Sequence, residues 1–189
     1  MRFLRAATTL LLFLTLAAPA AAKSKAGVKM PDTITVAKKR LTLNGLGLRE
    51  ATFFKVDVYV AGLYVENVSS DARKLINANE TKRLVLYFLR DVDRSDITKA
   101  WSSGFKGNAM VPMALLKERI DKLNGWMPAF KRGDMLTFTI LPDKGVVVHV
   151  NTTRKGVVTG EDFSQSLLAI WIGPKPPTGA LKRGLLGKH

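Results

Sequence analysis

The chain has 189 residues, with 30 Lys and Arg against 15 Asp and Glu, a formal charge of +15 and no cysteine. The missing cysteine excludes disulfides, thiol catalysis and thiolate metal sites. The basic residues are spread along the chain, without zinc-finger spacing, an aromatic ribonucleoprotein motif or a basic recognition helix, so nucleic acid is not an expected partner. The charge reads first as a solvated, lysine-rich surface. Its second reading is attraction to an anionic membrane surface or envelope polymer.

Residues Met1 to Ala22 have the three-part layout of a secretory signal peptide. Arg2 and Arg5 make a basic start, Leu10 to Ala18 an apolar run, and Ala18-Pro19-Ala20-Ala21-Ala22 a small-residue cleavage region. The apolar run is short for a transmembrane span; an uncleaved anchor is the alternative. Cleavage near Ala22, or else after Ala20, leaves about 167 of the 189 residues and lowers the charge from +15 to +13. Lys23 to Asp32 is small, polar and basic, and reads as a flexible lead-in. Residues 33–189 have the length of one domain.

Thr33 to Ala37 and Leu41 to Leu48 read as short strands, with Gly45 and Gly47 marking a turn beside Arg49. Phe53 to Glu66 is rich in valine and aromatic residues, which favours strand. Alternation puts Phe54, Val56, Val58 and Val60 on one face. Lys55, Asp57 and Tyr59 take the other, followed there by Ala61, Leu63 and Val65. Tyr59 therefore stands where its face changes from polar to apolar.

Asp71 to Asn77 suggests a short helix and Arg83 to Leu89 a strand. Asp93 is placed to cap a helix carrying Ile97, Ala100 and Trp101, with Phe105 a turn later; Gly104 and Gly107 are expected to loosen its end. Pro112 suits a first helical turn. Met113, Leu116, Ile120 and Leu123 follow at helical spacing, and Gly125 is a natural stop. Met135 to Leu141, Val146 to Val150 and Val157-Val158 read as an antiparallel meander joined by two turns. Glu161 to Ile172 is helical, with Phe163, Leu167, Ile170 and Trp171 as its stripe. Thr178 caps a final amphipathic helix containing Leu181 and Leu185. Strands and helices come in runs, so the expected fold is α+β, with an antiparallel sheet and helices layered on one face.

Arg49 with Tyr59 is the leading candidate site. A guanidinium offers a planar fork of donors matched to a carboxylate or an enolate-like oxygen, and a phenol can add a hydrogen bond. The competing reading is a surface arginine and a structural strand tyrosine. Arg90-Asp91-Val92-Asp93-Arg94 alternates sign and could serve acid–base work or a divalent cation; capping and surface ion pairs are the expected use. His149 lacks a carboxylate or serine partner at readable spacing. Trp101, Trp126 and Trp171 are expected to pack in the core. Gly45 and Gly47 lack the downstream glycine and helix of a dinucleotide loop. No cofactor and no metal is expected.

The stretches GLGLRE (45–50) and VDVYVAGLYVE (56–66) resemble the chalcone isomerase-like superfamily, closest to its bacterial secreted branch. The closing stretch SQSLLAIWIGPKPPTGALKRGLLG (164–187) is similar to its C-terminal helices. The resemblance implies an open-faced β-sandwich, a large antiparallel sheet covered by a helical layer on one face. It also implies that Arg49 lines the cleft. The position three before the strand glycine is threonine in the plant enzymes and tyrosine in the fatty-acid-binding relatives; here it is Tyr59. The plant enzymes further use a tyrosine and an asparagine after the next strand, and a hydroxyl residue on the late helix. The corresponding LRDVDRSDITKAW (89–101) has neither, and Ile170-Trp171 stands where the hydroxyl is expected.

The resulting expectation is a periplasmic or secreted, non-catalytic binder of a hydrophobic carboxylate such as a fatty acid. Arg49 and Tyr59 hold the head group, and Val56, Val58, Val60 and the helices supply an apolar wall. Alternation leaves open which strand face lines the pocket. The competitors are an isomerase or intramolecular lyase acting on an enone-type small molecule, and an envelope-surface interaction module without a pocket.

Overall fold

The computed structural model describes residues 22–51 and 56–188. The segment expected as a leader, up to Ala21, residues 52–55 and His189 therefore lie outside the described residues. Lys23 to Asp32, expected as a flexible lead-in, instead forms a hairpin: β1 (Ala22–Lys25) pairs antiparallel with β2 (Val28–Pro31). Ala26 and Gly27 turn it with φ of 46° and 79°, the left-handed pair that suits a two-residue hairpin loop. Only Val28 and Met30 of this segment are buried.

Seven strands follow, each antiparallel to its neighbour and ordered as in the chain: β3 (Thr33–Val36), β4 (Lys39–Ala51), β5 (Val56–Val65), β6 (Lys82–Phe88), β7 (Met135–Leu141), β8 (Gly145–Val150) and β9 (Thr153–Val158). The helices interrupt this meander at two places and follow its last strand at a third. α1 (Ala72–Asn77) lies between β5 and β6; α2 (Arg94–Asn108) and α3 (Met113–Gly125) lie between β6 and β7; α4 (Glu161–Ile172) and α5 (Gly179–Leu185) follow β9. The fold is α+β as expected.

Period-two alternation sorts the strand side chains onto two faces. On the inner face Ala61, Leu63, Leu86, Phe88 and Phe138 meet Trp101 and Phe105 of α2 and Phe163 and Trp171 of α4. On the outer face Leu41, Leu43, Val60 and Tyr64 meet Val28 and Met30 of the hairpin in a smaller second core. The helix starts follow the local chemistry in two cases. The Asp71 carboxylate accepts from Arg73 and Lys74 N–H at the start of α1, and Thr178 Oγ1 accepts from Leu181 N–H at the start of α5. Asp93 occupies the cap position of α2, but its side chain makes no capping bond.

Gly45 and Gly47 do not form a turn. They lie inside the 13-residue strand β4, and tertiary packing explains them. A methyl on Gly45 would overlap the Gly184 carbonyl oxygen, and one on Gly47 would sit 2.5 Å from the Leu181 carbonyl oxygen. The bare backbone lets α5 lie directly on the strand. A bulge at Asn44 completes the joint: its Nδ2 donates to the Leu185 carbonyl at 2.8 Å, and its Oδ1 accepts from Ser69 N–H at 2.8 Å. Gly104 and Gly107 likewise lie within α2 and do not loosen it. A methyl on Gly104 would come 2.7 Å from Ile170 Cγ2, so this glycine sets how closely α2 crosses α4.

Candidate functional site

Where β4 and β5 pair, Arg49 is the direct cross-strand partner of Tyr59. Directly opposed residues of an antiparallel pair share a face, and Tyr59 belongs to the inner core. Both side chains are therefore on the helix-covered side. The next pair along is Glu50 with Asp57, leaving Val58 unmatched in a bulge. This answers the question that alternation left open, and it corrects the wall. Val60 is buried in the outer core and Val56 is 39% exposed, whereas Val58 is turned by the bulge into the lining beside Tyr59.

Arg49 and Tyr59 line a cleft of about 1000 Å³ bounded by the β4–β5 end, the segment after β6, α2 and the segment after α4. Its wall is apolar at Val58, Val92, Ile97, Trp101, Ile170 and Pro176. Its charged lining is Arg90, Lys106 and Lys175 with Asp91, Asp93 and Asp96. The cleft thus offers one arginine–tyrosine pair beside an apolar floor, with mixed charges around the mouth.

Tyr59 is 6% exposed, and its hydroxyl accepts a hydrogen bond from Trp171 Nε1 at 3.0 Å. Burial pushes its pKa up to about 12, against the Trp171 hydrogen bond and the Arg49 charge, which both favour the phenolate. The phenol is accordingly neutral in the physiological range. An indole N–H only donates, so Trp171 leaves the Tyr59 proton uncommitted and orients the oxygen. Arg49 donates through Nη1 to the Glu50 carbonyl oxygen, which leaves further guanidinium N–H groups for a ligand. Trp101 packs edge-on against Trp171 with ring centres 5.3 Å apart. Its own Nε1 is buried with no hydrogen-bond partner among the described residues.

Of the other sequence candidates, Arg90, Asp91 and Asp93 line the cleft, whereas His149 and Trp126 lie away from it. The Asp91 carboxylate accepts from Lys131 Nζ at 2.8 Å and Arg132 N–H at 2.9 Å at an exposed position, and these bonds hold it below its usual range. His149 lies half-buried on the outer face. Burial holds its pKa down, helped by the charges of Arg83 and Arg154. Trp126 is half-buried above Gly156, where a methyl would strike the indole. Among the described residues no group of three His, Asp or Glu could hold a metal ion, and no helix is long and apolar enough to cross a membrane. Sequence reasoning favoured core packing for Trp171 and gave it no hydrogen-bonding role. The available signal was the family resemblance, which put Ile170-Trp171 where a hydroxyl residue is expected.

A long antiparallel sheet with helices on one face, and an arginine–tyrosine pair at the open end of the sheet–helix core, define an open-faced sandwich with a ligand-sized cleft. Residues 22–187 match the family described as chalcone isomerase-like, and the chain belongs to that family. A solved structure with the same fold is a fatty-acid binding protein of Arabidopsis thaliana. It is 16% identical, with a TM-score of 0.71, over 88% of this chain and 95% of that one. No curated protein matches the chain.

Proposed function

We propose that the protein binds a hydrophobic carboxylate, a fatty acid or similar single-chain lipid, without catalysis. The observation that carries this reading is the cross-strand pair of Arg49 with a buried, neutral Tyr59 whose proton meets no acceptor among the described residues. Arg49 would take the carboxylate and Tyr59 would add one hydrogen bond. Hydrogen bonds to a charged group contribute about 1.5–3 kcal/mol each. Burial of the acyl chain against Val58, Ile97, Trp101 and Ile170 would add about 0.8 kcal/mol per methylene. The Arabidopsis protein, named for fatty-acid binding, supports the same ligand class.

The isomerase reading is weaker on the residues themselves. The segment 89–101 lines the cleft with Val92, Ile97, Ala100 and Trp101 and with the charged Arg90, Asp91, Asp93 and Asp96, but with no tyrosine or asparagine of the kind the resemblance attributes to the plant enzymes. Arg49 could polarise a carbonyl, but no second polar group of that kind comes from this segment. We further propose secretion, with the leader removed near Ala22, into a periplasmic or extracellular space; the N-terminal residue of protein recovered from that space tests it.

Native mass spectrometry of protein purified from its own envelope is expected to show a co-purifying acyl chain. In equilibrium binding, Arg49→Ala is expected to weaken dodecanoate about 10- to 100-fold. Binding that ignores this substitution sinks the cleft assignment. Turnover of a chalcone panel that disappears in Arg49→Ala would favour the isomerase. Association with anionic vesicles that salt abolishes, and that Arg49→Ala leaves unchanged, would favour a surface module.

A further inference from the structure

The outer face of the sheet carries a second arginine–tyrosine pair. Tyr64 on β5 and Arg83 on β6 are cross-strand partners, as Arg49 and Tyr59 are on β4 and β5. They line a cavity of about 670 Å³ between the β1–β2 hairpin and strands β5 to β7. Strand alternation separates it from the cleft: Arg83, Val85 and Tyr87 face it, while Leu84, Leu86 and Phe88 face the helices. Its apolar lining includes Val28, Met30, Ile34, Val85, Tyr87 and Leu89.

The charge balance differs from that of the cleft. The charged residues lining this cavity are Lys29, Arg83 and Arg132, and no carboxylate is among them. Arg83 is half-buried and spends Nε on Thr139 Oγ1 at 3.0 Å. The ion pairs among the described residues do not include it. Its charge is felt by His149 and Tyr64. Asp32 acts on Tyr64 without lining the cavity, and Asp91 meets the backbone N–H of Arg132. A partly desolvated guanidinium with no counter-ion, at the end of an apolar trough, favours an anionic head attached to an apolar tail. Tyr64 donates its hydroxyl to the Pro31 carbonyl at 3.0 Å. It therefore anchors the hairpin, and the head group falls to its cross-strand partner Arg83.

We propose that this cavity is a second ligand site, for a single-chain anionic amphiphile. The oxyanion head sits on Arg83, and the chain lies along Val85, Tyr87 and Leu89 beneath Met30, toward the end of the trough where Arg132 stands. Carboxylate and phosphate heads share the chemistry that a guanidinium recognises. The site is independent of the cleft, so either can fail without the other.

Photoactivatable dodecanoate and dodecyl phosphate, mapped by mass spectrometry on the purified protein, test it. The expected result is adducts on Met30 and on Val85 to Leu89, beside any in the cleft. Arg83→Gln is expected to lower the outer adducts at least 10-fold and to spare the cleft, while Arg49→Ala does the reverse. Val85→Trp, which fills the trough and keeps the guanidinium, is expected to abolish them as well. The head group that labels more strongly identifies the class. Outer adducts absent with both probes, or undiminished in both Arg83→Gln and Val85→Trp, overturn the proposal.

Discussion

The two faces of the sheet are built from the same strands but covered to different depths. On β6, Leu84, Leu86 and Phe88 are sealed under helices, and Phe88 stacks on Phe130 with ring centres 4.2 Å apart. Their neighbours Arg83, Val85 and Tyr87 are only half-buried, because the covering layer there is a short hairpin that buries Val28 and Met30 alone. Alternation therefore decides which side a residue takes, and the thickness of the cover decides what that side does to it. Each face carries an arginine–tyrosine pair. The inner tyrosine has been drawn into an aromatic core, and the outer one ties down a flap.

The largest expected effect tests that difference directly. Phe88→Ala opens a hole among rings that cannot collapse, and is expected to cost about 3–5 kcal/mol. Met30→Ala on the flap is expected to cost about 2 kcal/mol or less, because a hairpin with few buried contacts can settle or open locally. Urea unfolding of the two variants measures both. Equal losses would mean that the hairpin is as firmly packed as the helical layer, and the contrast between the faces would be lost.

Alkaline pH sharpens the comparison at the level of the tyrosines. In the fold Tyr59 has its pKa raised to about 12 from an ordinary value of 10.0, chiefly by burial. The native state keeps the proton after the unfolded chain has released it. Its contribution to stability is therefore complete below pH 10 and is lost as pH rises through 12, by about 2–3 kcal/mol. Tyr59→Phe is expected to flatten that alkaline decline. Tyr64 is raised in the same direction, by burial and then by the Asp32 charge, against the Arg83 charge. Tyr64 too reaches about 12, but the hairpin that covers it can open locally, so the effect there is expected to be smaller. Urea midpoints from pH 9 to 11.5 for Tyr59→Phe and Tyr64→Phe give the order; a larger effect from Tyr64 would reverse it. Because Tyr59 keeps its proton, its hydrogen bond to an ionised carboxylate in the cleft is expected to be unchanged between pH 6 and 9.

Much of this was legible in the sequence, and the gaps have physical reasons. The valine- and aromatic-rich run placed β5 although both of its faces are buried from Tyr59 to Val65, and the alternation from Met135 to Leu141 placed β7. The stripe Ile97, Trp101 and Phe105 placed α2 because it is the buried face of that helix. The pair Arg49 and Tyr59 was found through spacing and family resemblance together, since neither residue type alone marks a cleft. Gly45 and Gly47 were misread because glycine signals a turn locally, whereas their cause is the backbone of α5, about 140 residues away in the chain. The β1–β2 hairpin was missed because two apolar residues among lysines make no period. Val58 was assigned to the wrong face because a bulge breaks the very alternation used to place it.

The smallest expected effect lies where the packed helical layer becomes the cleft edge, at two glycines of α2. Alanine is favoured over glycine inside a helix by about 1 kcal/mol, so both substitutions start with the same gain. At Gly107 the added methyl would lie 3.3 Å from Lys175 Cβ, and the Lys175 backbone is held by two hydrogen bonds to Asn108, so a shift of a few tenths of an ångström is needed. Gly107→Ala is therefore expected to keep only part of the gain, about 0.5 kcal/mol. At Gly104 the methyl meets the branched Ile170 side chain at 2.7 Å and, slightly farther, at 3.2 Å. A β-branched residue has little rotamer freedom to escape, and overpacking costs about 1–3 kcal/mol. Gly104→Ala is thus expected to be neutral or destabilising, and by pushing α2 from α4 to alter ligand affinity more than Gly107→Ala does. Thermal midpoints and dodecanoate titrations of the two variants decide it. If both glycines had merely loosened the helix, both alanines would stabilise equally, and the crossing of α2 over α4 would have no part in shaping the cleft.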